Sequence, residues 1–307
     1  MNAPGLAHHA AGARIAAALE KCATSVVRIA DAQWLLSLTN GAELTVHAGV
    51  HDDWLILEGP RVPGFGFRGG HASGEPDAAG LWSLLRVNAA LVGGAKCALE
   101  PDLSGTQVRA EVPLDDDIDV ARRITQACTG IKSAAARVHG SAAYDSPVAA
   151  PLTHAELEAL CRATPWTCVV RKECVAVDLQ VQGAFRALVT ARPDGKIAAS
   201  VDLNGRPADS SSPVCRAALA HFLLRINRVV RMARAAAAGE TPRLETVFAD
   251  APTAPELNHA LAALSVACRM AAREAEVLAC EVEAARAYLR FCAPSVPRPV
   301  TEGAGEV

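Results

Sequence analysis

The pattern of apolar and polar positions along the chain predicts helices and short strands. Strand-like runs alternate at every residue, whereas helical runs repeat their apolar positions every three or four residues. Asn40-Gly41 is a strong hairpin signal, so the strands around it are expected to be antiparallel. In the first half the pattern predicts, in order, a helix over residues 13–21, strands over 34–38, 43–47 and 54–58, a helix over 78–92, strands over 95–99 and 107–112, and a helix over 115–137.

The second half predicts a similar series, and two of its helices have clear start signals. Thr153 with Glu156 and Thr253 with Glu256 each match the capping box that is typical of a first helical turn. The predicted fold class is therefore α+β, with helices packed on antiparallel sheets. The remaining elements predicted here are strands over 168–177, 184–191, 197–202 and 244–248, a long helix over 213–238, and a last helix that runs to residue 291.

The two halves contain the same pattern at a fixed spacing. Residues 84–88, LLRVN, return 139 residues later as residues 223–227, LLRIN. Without a gap, the same spacing places residues 108–113 on 247–252 and aligns the apolar positions of the helices that follow, Ala127 on Val266 among them. Because the spacing is as long as a domain, it predicts a duplicated domain.

We therefore expect two tandem repeats in 307 residues, each with the order helix, three strands, helix, one or two strands, helix. The first repeat is expected over residues 12–140 and the second, more divergent one over 152–292. Residues 234–238 have a helical pattern, so the second repeat is expected to have lost one strand and lengthened its middle helix. The proline-rich segment 293–307 is expected to be a disordered tail.

The middle helix of the first repeat has apolar residues on two sides. A helix of this kind is buried on two sides, and the second repeat is the obvious partner for one of them. A single wide apolar stripe facing a thick core is the alternative. The residues expected at the interface between the repeats are Trp82, Leu85, Ala89, Phe222 and Ile226.

Composition excludes several classes of protein. Apolar residues make up 51% of the chain, charged residues 21%, and the formal net charge is −3, which is ordinary for a globular protein and atypical of a nucleic-acid binder. We see no signal peptide and no apolar run of about 18 residues, so no membrane span is expected. The ten cysteines include no C-x-x-C pair, which favours free thiols in the cytoplasm.

The sequence 64–69 matches G-x-G-x-x-G, but its context does not favour a nucleotide site. The dinucleotide-binding motif joins a strand directly to a helix. Here Pro63 precedes the motif, and further glycines and a proline follow it before a helix can start. We interpret the segment as a mobile loop, with Phe65 and Phe67 as a partner-binding tip.

No other group predicts catalysis, a metal or a cofactor. His47, His51, Asp52 and Asp53 flank a hairpin turn, and no second cluster is available to complete a metal site. The aspartates over residues 115–119 lack the calcium-loop pattern and suit the start of a helix. We therefore expect a protein that is not an enzyme, although a site assembled from scattered residues stays an alternative.

Four arginines recur every three residues along the predicted long helix of the second repeat. They predict either a solvated polar face or a surface that docks an acidic partner protein. The negative net charge disfavours RNA and DNA as partners. These candidate partner-binding residues are Arg225, Arg228, Arg231 and Arg234.

The order of elements resembles the class I type III secretion chaperone fold, which the CesT-like chaperones and the YbjN-like proteins share. The residues that carry the resemblance are 84–88, 95–99, and 108–113 with Leu114-Asp115, followed by the closing helix. In that superfamily a leucine-rich middle helix leads to a strand pair that ends in a similar Pro-Leu-Asp phrase. The second repeat retains this phrase only in part.

The resemblance implies a non-catalytic, cytoplasmic chaperone or adaptor that binds an extended segment of a client protein. Family members are small homodimers, so two copies in one chain predict a monomer with an internal pseudo-two-fold axis; a dimer is the alternative. A client segment at a strand edge would gain main-chain hydrogen bonds. The alternative function is a regulatory scaffold that docks an acidic partner through the arginine-rich helix face.

Overall fold

The computed structural model describes residues 4–40, 42–62, 77–100, 105–138, 150–181, 185–203 and 212–292. Within these ranges the chain forms seven helices and two six-stranded antiparallel sheets. The predicted α+β class is confirmed. The proposed tail, 293–307, lies outside the described residues.

The first half supplies one whole sheet, in which the strands lie in the order β1-β2-β3-β4-β6-β5. Helices α1 and α3 pack together, and α3 also covers one face of the sheet. The elements of this half are α1 (Pro4–Cys22), β1 (Ser25–Ala30), β2 (Gln33–Asn40), β3 (Ala42–His51), β4 (Trp54–Val62), α2 (Ala78–Ala89), β5 (Lys96–Leu99), β6 (Thr106–Pro113) and α3 (Val120–Val138).

The second half supplies the other sheet, with strands in the order β7-β8-β9-β10-β12-β11. Counted from the first strand of each half, this order is the same as in the first sheet. The elements are α4 (His154–Arg162), β7 (Cys168–Val170), β8 (Val175–Asp178), β9 (Arg186–Ala191), β10 (Ile197–Asp202), α5 (Pro213–Val229), β11 (Arg234–Ala238), β12 (Thr241–Phe248), α6 (Ala254–Cys280) and α7 (Val282–Cys292).

Four strands, instead of the predicted three, precede the middle helix of each half. Strand β1 lies at the edge of its sheet. Of its six residues, Val26 packs partly against the core and the other five are exposed, so its sequence lacks the alternation of apolar and polar positions that marks a half-buried strand. In the second half, the single run predicted over 168–177 is two strands, β7 and β8.

The prediction that the second half has lost a strand is wrong. Residues 234–238 form β11, and α5 ends at Val229. Alanine favours helices, but here pairing with β12 decides the conformation, with Arg234 opposite Glu245 and Ala235 opposite Leu244.

The strand register also corrects the gapless alignment of the two halves. Val108 lies opposite Cys97 in the first sheet, and Leu244 lies opposite Ala235 in the second. Cys97 and Ala235 are equivalent, because their N–H groups donate to Asn88 and Asn227, the last residues of the repeated motif. Val108 therefore corresponds to Leu244 and not to Val247. The alignment of the following helices is wrong as well, because Ala127 is buried whereas Val266, its predicted counterpart, is 48% exposed.

Two helix boundaries differ from their predictions. Helix α3 begins at Val120, after the aspartate cluster, and the Asp119 carboxylate accepts a hydrogen bond from the Arg122 backbone N–H. The last predicted helix is two helices, because the backbone at Glu281 is extended. This break lets α7 turn back and pack against α5.

One face of the first sheet is apolar and the other carries the charged residues. Trp34, Leu36 and Leu38 alternate along β2 and are buried in the core. On the opposite face, His47, Glu58, Arg109 and Lys96 form one row across β3, β4, β6 and β5. This row leads from the outer part of the sheet to the second half of the chain.

Candidate functional site

The asparagines that end the two LLRVN and LLRIN motifs meet where the two halves join. Asn88 and Asn227 are both fully buried. The Asn88 Nδ2 donates to Cys97 O at 3.2 Å and to Ala235 O at 3.1 Å. The Asn227 Nδ2 donates to the same two carbonyls, at 3.0 Å and 3.1 Å. Each carbonyl is thus bonded by a side chain from both halves.

The same asparagines also satisfy the backbone N–H groups of the two strands. The Cys97 N–H donates to Asn88 Oδ1 at 2.7 Å, and the Ala235 N–H donates to Asn227 Oδ1. Because buried backbone groups need partners, this arrangement replaces the neighbouring strand that β5 and β11 lack on this side. The inner edges of both sheets are therefore closed by side-chain amides.

Two buried cations cross the junction in opposite directions. The Lys96 Nζ, from the first half, donates to the Val230 and Ala233 carbonyls and lies 2.6 Å from Glu111 Oε2. Arg234, from the second half, donates to two backbone carbonyls of the first half and pairs with Glu245 at 2.8 Å; those carbonyls belong to Leu91 and Ala95.

Burial lowers the pKa of both Lys96 and Arg234, and the paired carboxylates oppose this shift. Removal of Glu111 or Glu245 would leave Lys96 or Arg234 as a buried cation without its paired carboxylate, which is strongly destabilising. The junction is thus specific in its polar contacts as well as in its apolar packing.

The residues predicted at the interface lie on the two helices that pack together, α2 and α5. The Trp82 Nε1 donates to Gly239 O of the second half at 3.2 Å. Leu85 and Ile226 are buried and Ala89 is half-buried. Phe222 packs edge to face against Tyr288 of its own half, with ring centres 6.1 Å apart.

The prediction of one arginine-rich helix face is wrong. Only Arg225 and Arg228 belong to α5, because Arg231 follows the helix and Arg234 lies in β11 with 1% of its side chain exposed. Arg225 donates to Cys292 Sγ at 3.2 Å, within the second half. The acidic groups nearest to Arg228 and Arg231 are in the first half of the same chain, as described next.

The arginines at positions 228 and 231 border a cleft of about 590 Å³ on the charged face of the first sheet. The Arg228 Nη1 donates to Gln107 Oε1 at 3.1 Å, and Nη2 lies 3.7 Å from Glu58 Oε1. The Arg231 Nη1 lies 3.9 Å from Glu111 Oε1. The residues that line the cleft are Ile29, Gln33, His47, Ala48, Gly49, His51, Asp52, Ile56, Glu58, Arg109, Arg228 and Arg231.

A second ionic cluster joins the helices that close each half. Arg122 and Arg123 of α3 both pair with Glu256 of α6, Arg122 at 2.9 Å. Burial raises the pKa of Glu256, but hydrogen bonds from Arg123 and from the Thr253 backbone, with the charges of both arginines, outweigh it and hold this pKa below its ordinary value. The sequence predicted the capping box formed by Thr253 and Glu256, but it did not indicate that Glu256 also forms ion pairs with the first half.

The outer edges of the two sheets differ from the inner ones. In the described part of the chain, β1 pairs only with β2, and β7 pairs only with β8. Val27 and Ile29 on β1 are 54% and 52% exposed, and Val169 on β7 is 58% exposed. Within the described ranges no strand pairs with the outer side of either edge, and apolar side chains lie beside it.

The thiol of Cys22, at the end of α1, lies among groups that favour its thiolate form. Its Sγ lies 3.2 Å from Ala18 O and 3.3 Å from Thr125 Oγ1. A hydrogen bond with Cys128, above all, lowers the pKa of Cys22 to about 6, assisted by Thr125 and by the charge of Lys132 against the effect of burial. All ten cysteines are free.

Other predicted chemistry is only partly covered by the structure. Phe65 and Phe67, with the whole glycine motif, lie outside the described residues. His47, His51 and Asp52 line the cleft. The Asp53 carbonyl accepts a hydrogen bond from the backbone N–H of Leu114, the residue that follows β6. Within the described ranges, no three His, Cys, Asp or Glu side chains are arranged to hold a metal ion.

No family model matches this sequence, and no curated protein is significantly similar to it. Among the described residues, no helix combines the length and the apolar character that crossing a membrane requires.

Proposed function

We propose that the chain is a tandem duplication whose two halves pack as an intramolecular pseudo-dimer. Three observations support this: the shared strand order, the matched pair Asn88 and Asn227, and the reciprocal contacts of Lys96 and Arg234. Each half supplies the same kind of group to the other, as subunits do across a two-fold interface.

On this framework we propose a non-catalytic, cytoplasmic chaperone or adaptor that binds an extended segment of a client protein by strand addition to β1. The observation that carries the proposal is the outer edge of β1, which no other strand of the described residues pairs and where Val27 and Ile29 are more than half exposed. Exposed apolar edges promote aggregation, and natural proteins usually cover or charge them. An edge that stays open suits an extended partner.

The two outer edges are not equivalent. Strand β1 has six residues and β7 has three. A longer edge offers more main-chain hydrogen bonds and more side-chain contacts, so β1 is the preferred client edge. The resemblance to the type III secretion chaperones is consistent with this mode, and the free cysteines suit a reducing compartment.

The experiment is a quantitative pull-down from native host lysate with two matched variants. Val27→Lys places a charge on the β1 edge at a residue that does not line the charged cleft, and Val266→Lys places the same charge on α6, where the wild-type side chain is similarly exposed at 48%. We expect one or two proteins to co-purify stoichiometrically with the wild type and with Val266→Lys. Val27→Lys should lose them while it keeps its melting temperature.

Equal recovery with both variants would contradict binding at β1. A protein that purifies alone from every lysate condition would contradict the chaperone or adaptor function itself.

A further inference from the structure

The cleft on the charged face of the first sheet has more cations than carboxylates. Glu58 and Glu111 are its acidic partners on β4 and β6. Each carboxylate lies within ion-pair distance of more than one basic group. Together the two carboxylates face four cations, which are Lys96, Arg109, Arg228 and Arg231. Asp52 lines the cleft as a further carboxylate at its exposed end. The wall near the junction therefore has an excess of positive charge.

The basic groups are held in place differently. Arg109 is 6% exposed and is fixed by Glu111 at 2.8 Å and Glu58 at 3.2 Å. Arg228 and Arg231 approach the same carboxylates only at 3.7 Å and 3.9 Å, which is longer than a hydrogen bond. These two arginines therefore have donors that the carboxylates do not use.

We propose that this cleft binds a small organic anion that carries two or more carboxylate or phosphate groups. Arg228 and Arg231 donate to the anion, and Arg109 contributes positive charge from the buried wall. Planar guanidinium groups suit both kinds of oxyanion. A volume of about 590 Å³ lies within the range of small-molecule sites and exceeds what a single inorganic ion needs.

The floor of the cleft contains a glycine on β3. Gly49 lies between His47 and His51 on β3, and a Cβ at this position would lie 3.3 Å from His51 Nε2 and 3.8 Å from Gln33 Cγ. A larger side chain at Gly49 would therefore extend among the lining residues without removing any charge.

The test is isothermal titration of the full chain with citrate, with inorganic phosphate and with a hexaglutamate peptide as separate probes. Four variants accompany the wild type. Arg228→Gln and Arg231→Gln remove the proposed donors, and Gly49→Val fills the cleft sterically. Arg286→Gln serves as the control, because it removes an exposed arginine whose ion pair, among the described residues, is with Glu283 of the same helix.

We expect saturable citrate binding that weakens about tenfold or more in each arginine variant, since a hydrogen bond to a charged group contributes at least that factor. Gly49→Val should weaken it similarly, and Arg286→Gln should not change it. Melting temperatures identify any variant that is merely unfolded, and Gly49→Val keeps the test independent of the junction ion pairs.

Three outcomes would overturn the proposal. These are no saturable citrate binding by the wild type at low salt, equal affinity in the wild type and all folded cleft variants, and binding of the peptide without binding of citrate. The last result would assign the cleft to an acidic protein segment instead.

Discussion

Asn88 and Asn227 offer the sharpest test of how the halves are joined. In the single variant Asn88→Ala, the Cys97 N–H loses its acceptor at 2.7 Å. The Cys97 and Ala235 carbonyls stay bonded, because Asn227 Nδ2 still donates to both. One buried donor is thus left unsatisfied, at a cost of about 1–3 kcal/mol. The better helix propensity of alanine offsets about 0.5 kcal/mol of this.

The double variant Asn88→Ala/Asn227→Ala leaves four backbone groups without these partners: two N–H groups and two carbonyls. Its cost should therefore exceed the sum of the two single costs. We expect a coupling free energy of about 1–3 kcal/mol, which is typical of residues in one hydrogen-bond network.

Urea-induced unfolding, followed by circular dichroism, measures all four corners of this cycle. Ser83→Ala is the control, since Ser83 is an exposed residue of the same helix. Additive single costs, or a single cost below about 0.5 kcal/mol, would refute the shared role of the two amides.

Three further predictions concern single residues. The pKa of Glu256 lies below its ordinary value of 4.5, so its carboxylate stabilises the fold above that pH. This contribution is lost as the pH falls through the lower pKa of the folded state. The urea concentration at the unfolding midpoint should therefore fall more steeply between about pH 6 and pH 3 in the wild type than in Glu256→Gln. Iodoacetamide should alkylate Cys22 of the folded protein at pH 7, and the alkylation rate plotted against pH should have its midpoint near the Cys22 pKa of about 6. Cys97, whose pKa burial raises to about 12, should stay unmodified in mass spectra of the same sample. Arg234→Met should cost about 3–5 kcal/mol of unfolding free energy, because it removes the shortest ion pair of the buried Glu245 and the donors to the Leu91 and Ala95 carbonyls. The exposed control Arg286→Ala should cost less than about 0.5 kcal/mol. Similar losses in the two arginine variants would contradict the structural role of Arg234.

The sequence was informative wherever local physics decides the structure. Both capping boxes, at Thr153 and Thr253, are present with the predicted hydrogen bonds. Helix starts of this kind depend on residues three apart and are readable without a fold. The turn between β3 and β4 also lies where predicted, with Asp52 at a positive φ of 52°.

Elements that depend on distant partners were not predicted correctly. The alanines of β11 favour a helix by themselves, and only the pairing with β12 makes them a strand. Arginines spaced by three suggested a helix face, yet Arg234 is buried because its partners are Glu245 and two carbonyls of the other half. Such contacts leave no local pattern in the sequence.

The structure of the repeated motif could be predicted in part from the sequence. Its leucines predicted buried helices correctly, and Leu84, Leu85, Leu223 and Leu224 are all in the core. The terminal asparagine marked the repeat, but nothing in the sequence indicated that Asn88 and Asn227 bond the same two carbonyls. That role requires the second half to be in place.

The most direct test of the proposed function is hydrogen exchange on the wild-type protein, alone and with its co-purified client. Binding by strand addition predicts slower exchange at the amides of residues 25–30, which form the open edge β1, and no change at residues 96–99, where β5 is already closed at the junction. Unchanged exchange over residues 25–30 in the saturated complex would contradict the account.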